Sequence, residues 1–284
     1  MDLRGRGSGK NMVKIGARAH DYGKDEPESL FARIRADGFS CVQLALKKAL
    51  AGVGDVTPAL LERVNAALKK NDLSVAVLGA YVDLALADGP ARLAAAEEFR
   101  ANIPFARELG AACVGTETTP TEKQPGLTRK EAMRLLLGSL ESILPTAEQN
   151  GVTVAVEPVF SHTLNTPELA RRMLGDLRSP NLKIIFDPVN LLSEDAVPTQ
   201  RDLWERCFEC FGGKIVAVHL KGARIGSDGR LTACGLTESV VDYGFIVSRL
   251  KQLPQDFNIL REEVVPANAA EDLEFIRDLT GLPA

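Results

Sequence analysis

The chain has 284 residues, 45% hydrophobic and 25% charged, with a formal net charge of -4; these are globular values, and the length is ordinary for one large α/β barrel. The balance lacks the basic footprint that nucleic acid or an anionic membrane would require. No apolar run approaches the roughly 20 residues that span a bilayer, and the N-terminus lacks the apolar centre of a signal peptide, so a cytoplasmic protein with a small ligand is expected.

The opening MDLRGRGSGKN has glycines and a lysine, but its spacing is not that of a phosphate-binding loop. No strand precedes it and no Ser or Thr follows Lys10, so residues 1–11 read as a flexible leader. From Met12 onward strand-like and helix-like segments alternate. MVKIGARA precedes a helix from Pro27 to Ala36, and FSCVQLAL precedes one from Pro58 to Leu68 that Thr57 caps. LSVAVLGAYV leads to Gly89–Leu109 and AACVGTE to Thr128–Asn150. VTVAVEPV is followed by a helix with Thr166 as cap and Pro167 at its first position; NLKIIFD is followed by Gln200–Phe211. KIVAVHLK precedes Ser239–Leu250, and FNILREE precedes Ala269–Leu279.

Eight strands alternating with eight helices predict parallel pairing through right-handed crossovers and closure into a single-domain (β/α)8 TIM barrel over residues 12–284. An open doubly wound sheet would carry a glycine-rich turn after its first strand, and GARAHDYG is not one. The five cysteines show no disulfide framework. Cys207 and Cys210 form half of a zinc motif without a second pair, on an amphipathic helix, and read as ordinary helix residues. Trp204 and Phe208 read as packing from that helix onto the barrel.

In such a barrel the chemistry lies where strands end. Strands five to eight end in Glu157, Asp187, His219, and Glu262 or Glu263. Side-chain alternation places Ala217, His219 and Lys221 inward with Val216, Val218 and Leu220 outward, and likewise Ala155 and Glu157 inward. In strand eight parity prefers Glu262, and Glu263 remains open if the strand bends at its end. Three carboxylates and one imidazole suit a divalent ion such as Mn, Mg, Zn or Co, which would compensate the buried Asp187.

The set Glu157, Asp187, His219-Leu220-Lys221 and Glu262, with the openings KIGARAHDYG and VAVLGAYVDL, resembles the xylose isomerase-like TIM-barrel superfamily and, within it, the sugar phosphate isomerase/epimerase group. The resemblance implies a metal-dependent isomerase or epimerase acting on a small sugar or polyol through an enediolate. It further implies that Glu157 and Glu262 are both metal ligands and an acid/base pair, with Lys221 on the enediolate oxygen. A lyase or dehydratase on a keto-polyol or 3-keto glycoside is the nearest rival; a noncatalytic sugar- or metal-binding barrel is another. The chain departs from the family twice. Asn190 stands where many relatives have His, and Gly222 where the His-x-Lys-Asp pattern has Asp. A trinuclear zinc repair nuclease of the same superfamily needs more histidines than His20, His162 and His219 supply.

Expected substrate contacts are His20, Gln43, Glu117, His162, Asn190 and Arg224. Arg18 and Arg224 could hold a phosphate, though nothing requires one. Relatives imply a homodimer or homotetramer.

Overall fold

The computed structural model describes residues 13–282; the leader predicted over residues 1–11 lies outside them. The barrel strands are β1 (Ile15–Arg18), β2 (Cys41–Leu44), β3 (Ser74–Gly79), β4 (Val114–Glu117), β5 (Val154–Glu157), β6 (Leu182–Phe186), β7 (Ile215–Leu220) and β10 (Asn258–Arg261). They pair in parallel and close in the order β1-β10-β7-β6-β5-β4-β3-β2. This is a single-domain (β/α)8 TIM barrel. Between β7 and β10 lies an antiparallel hairpin absent from the expected elements, β8 (Gly222–Ile225) and β9 (Leu231–Cys234).

The helices begin where their caps dictate. Thr57, Asp88, Thr128 and Thr166 each accept a backbone N–H from the first turn, and Thr128 with Glu131 completes a capping box. The helix expected from Ser239 starts instead at Tyr243, because Asp242 caps it by accepting from Phe245 N at 2.9 Å. Two long helices, Gly89–Glu108 and Arg129–Asn150, carry internal prolines at Pro104 and Pro145. Among the described residues no helix is long and apolar enough to cross a membrane.

Alternate strand residues divide between two cores. Val154, Val156, Ile184, Phe186, Val218 and Leu220 face the helix layer. Cys41, Ala76, Val77, Cys113, Ala155, Ile185, Ala217 and Leu260 fill the barrel lumen. Alternation breaks at two register shifts, where β3 and β7 each carry one residue more than their neighbour. There Ala76 and Val77 both enter the lumen, and Val216, expected to face the helices, packs against the lumen cluster. Gly115 completes the fill, because a Cβ there would lie 2.6 Å from both Ile185 Cδ1 and Val77 Cγ1.

Trp204 packs edge-on against Phe186 at a centroid distance of 6.0 Å, joined by Phe208 and Phe211. This bears out the packing role read for that helix. All five cysteines are free thiols.

Candidate active site

The ends of β5, β6, β7 and β10 converge. Glu157 is the last residue of β5, inward because Val154 and Val156 are outward. Asp187 follows β6 and is fully buried; its Oδ1 caps the short helix Pro188–Leu191 by accepting from Asn190 N at 2.9 Å, so Oδ2 is left facing the mouth. His219 follows from the Ala217 side of β7 and is 1% exposed. After β10 the backbone settles the choice between neighbours. Glu263 adopts a left-handed φ of 59° and is exposed, which turns Glu262 inward to 5% exposure.

The four groups meet at one imidazole nitrogen. His219 Nδ1 lies 3.3 Å from Glu157 Oε2, 3.4 Å from Glu262 Oε1 and 3.8 Å from Asp187 Oδ2. One donor atom from each of Glu157, Asp187 and His219 falls within 4.8 Å of the others. Neither nitrogen of His219 has a hydrogen-bond partner of good geometry among the described residues. Buried polar atoms seldom stay unpaired without a functional cause, and three carboxylates around one imidazole are a donor set that fits a divalent cation.

Each carboxylate also has a protein anchor. Glu157 Oε1 accepts from Asn190 Nδ2 at 2.5 Å, and Asn190 Oδ1 accepts from Lys221 Nζ at 2.8 Å. Glu262 Oε1 accepts from Gln43 Nε2 at 3.0 Å, while its Oε2 is 3.3 Å from Arg18 Nη1 and 3.6 Å from Lys221 Nζ. Lys221 Nζ lies 2.9 Å from Asp187 Oδ2. Asn190 is thus an amide bridge between an ammonium and a carboxylate.

Electrostatics follow from this crowding. Burial pulls the His219 pKa down, but the charges of Glu262, Glu157 and Asp187 outweigh it and hold it at about 9. Burial works against the Glu262 carboxylate too, yet His219, Lys221 and Arg18 keep its pKa down at about 2. Burial likewise opposes the Lys221 charge, and the surrounding carboxylates, Asp187 foremost, raise its pKa above the ordinary value. Asp187 is raised, because full burial outweighs the nearby Lys221.

The remaining expected residues separate. Gln43 joins the cluster through Glu262 and also donates to the Tyr81 hydroxyl. Glu117 ends β4 in register with Glu157, is 40% exposed, and lies 3.8 Å from Nδ1 of the buried His162. Burial raises the Glu117 pKa and lowers that of His162. His20 sits in the turn Ala19–Tyr22 after β1, its Nδ1 without a hydrogen-bond partner among the described residues and its pKa lowered by burial. Arg224 lies exposed on β8, 3.5 Å from Glu238, and makes no contact with the four donors among the described residues.

Two features escaped the sequence reading. Arg18 pairs with Glu262 at 3.3 Å, steadied by Asp21 at 2.8 Å. Tyr81 walls the mouth beside Gln43, with Lys48 Nζ 4.4 Å from its ring centroid. Strand alternation reports direction, not partners across the barrel. Only Arg18 and Tyr81 lying at strand ends hinted at either.

A parallel barrel with carboxylates and an imidazole gathered at its C-terminal mouth defines the class of protein: a (β/α)8 barrel with a buried polar centre. A family model described as xylose isomerase-like TIM barrel matches residues 31–279. The chain belongs to that family. No curated protein matches. Among solved structures, D-psicose 3-epimerase in the presence of D-fructose aligns with a TM-score of 0.75 and 15% identity, covering 95% of this chain and 100% of that one. A xylose isomerase-like TIM barrel protein from Mycobacterium smegmatis in complex with magnesium gives 0.74 and 17%, covering 95% and 97%. The apo 3-keto-D-glucoside 4-epimerase from E. coli gives 0.69 and 18%, covering 94% and 99%.

Proposed function

We propose that the protein is a divalent-metal-dependent sugar isomerase or epimerase that moves a proton through an enediolate. The observation that carries this reading is the convergence of Glu157, Glu262 and Asp187 on a single buried His219 nitrogen that has no hydrogen-bond partner among the described residues. A divalent ion held by these four residues would polarise a sugar carbonyl and its neighbouring hydroxyl, acidifying the C–H between them.

The chain's own residues then divide the work. Glu157 or Glu262 removes that proton, and the other returns it to the opposite face or to the adjacent carbon. Their anchors keep them in place: Asn190 holds one oxygen of Glu157, and Gln43 with Arg18 holds Glu262. The Lys221 ammonium stabilises the oxygen on which charge develops.

The test is incubation of the metal-loaded protein in D2O with ketoses, polyol ketones and 3-keto glycosides, followed by NMR. Deuterium at a carbon beside a carbonyl is the expected outcome. Elimination products in place of epimers would assign the lyase reading, since the same enolate can expel a β-leaving group. Metal and sugar binding without exchange would leave a binding protein. The fold's likeness to a 3-keto-D-glucoside epimerase is the reason for including keto glycosides.

A further inference from the structure

Lys221 stands one residue beyond the end of β7, where its peptide would ordinarily pair with β6. That strand stops at Phe186 and turns at once into the helix capped by Asp187, so β6 offers the Lys221 peptide no partner. A buried N–H and C=O left unpaired would be costly and would let the chain end swing.

One side chain meets both groups. The Tyr243 hydroxyl donates to the Lys221 carbonyl at 2.6 Å and accepts from the Lys221 N–H at 3.2 Å. In a parallel strand a residue's N–H and C=O point to the same side, so a single hydroxyl, with one proton and two lone pairs, can serve both. Tyr243 is itself 3% exposed, and it sits where it does because Asp242 caps the helix that begins with it.

We infer that Tyr243 is the positioning residue for Lys221: it replaces the missing strand partner and thereby fixes the direction in which the ammonium is presented to Asp187, Asn190 and Glu262. This rests on the reading of Lys221 as the cation that meets developing charge. Among the described residues the Tyr243 hydroxyl hydrogen-bonds only the Lys221 backbone, through which it acts. The other side of the strand is held separately, since Glu262 N donates to the Leu220 carbonyl at 3.0 Å and Arg261, paired with Asp272 at 2.8 Å, also reaches the Glu262 carbonyl. Losing the Tyr243 hydroxyl therefore frees one edge while the rest of the strand stays anchored.

The experiment compares Tyr243→Phe with Ser139→Ala, which deletes another buried hydroxyl-to-carbonyl bond, to Leu84 at 2.7 Å, outside the site. The first readout is the 15N–1H signal of the Lys221 ammonium, assigned with Lys221→Arg. It should shift or vanish into fast exchange in Tyr243→Phe and stay unmoved in Ser139→Ala; an unmoved signal in Tyr243→Phe, or an equal change in both, overturns the inference. The second readout is deuterium incorporation into D-fructose in D2O. In Tyr243→Phe kcat should fall by about tenfold to a hundredfold with KM within about twofold, as a misplaced group predicts. An unchanged kcat overturns the role of Tyr243. No incorporation by the unaltered protein counts against the proposed function, and the ammonium signal still decides the positioning claim.

Discussion

Asp187 divides its two oxygens between a structural and a chemical task. Oδ1 caps a helix and Oδ2 faces His219 and Lys221, so a substitution there disturbs both. Glu157 and Glu262 are cleaner probes, and Glu157→Gln or Glu262→Gln should weaken divalent-metal binding by at least about tenfold to a hundredfold. Either change should also slow carbon-bound proton exchange by about 10² to 10⁴; titration calorimetry and D2O exchange check the two effects separately. A pH effect belongs at this scale as well. His219, with its pKa raised to about 9, is protonated at neutral pH and must lose that proton to ligate. Metal affinity should therefore rise with pH up to about 9, by at most about tenfold per unit for this one group. Calorimetry in buffers of different ionisation enthalpy should show proton release on binding at pH 7. The metal-free protein shows the complementary sign: stability from protonated His219 is complete below about pH 6.5 and is lost as pH rises through about 9. The convergence of Glu157, Asp187, His219 and Glu262 was legible because side-chain direction in a strand has period two. The choice of Glu262 over Glu263 was legible only as a preference, since it turns on the left-handed φ of Glu263.

At the scale of elements, most helices begin and end as the sequence indicates, because Thr57, Thr128 and Thr166 are local signals that act within one turn. The hairpin was not legible. Its strands GARI and LTAC are four residues each, buried only at Gly222 and Ala223, so no buried alternation marks them, and they read as part of the connection between KIVAVHLK and the next helix. The inward turn of Val216 was equally hidden, because a bulge depends on the register of the neighbouring strand. The lumen gives an element-scale prediction. Gly115→Ala would press a methyl against Ile185 and Val77, costing about 1–3 kcal/mol for overpacking. Denaturant unfolding should show that loss while metal affinity is retained, since Gly115 lies two residues below Glu117 and touches none of the donors.

For the whole molecule, the barrel's closure brings donors from β5, β6, β7 and β10 to one point although Glu157 and Glu262 are far apart in sequence. A ligand binding there stabilises the entire fold by mass action. A divalent ion at about one hundred times its Kd should add about 2.7 kcal/mol, which for a chain of this size corresponds to a rise in Tm of about 5 °C. Chelation should reverse it. The closure itself was legible from the eightfold alternation of segments; the contacts of Arg18 with Glu262 and of Tyr243 with Lys221 were not, because they join residues distant in sequence through side chains whose reach no periodicity reports.

The most direct measurement is a titration of the chelator-treated protein with Mn²⁺ at pH 8, alongside Glu157→Gln and Glu262→Gln. One ion bound per chain, with binding weakened in both variants, is the predicted result. No binding by the unaltered protein, or equal binding in all three, would contradict the four-ligand centre.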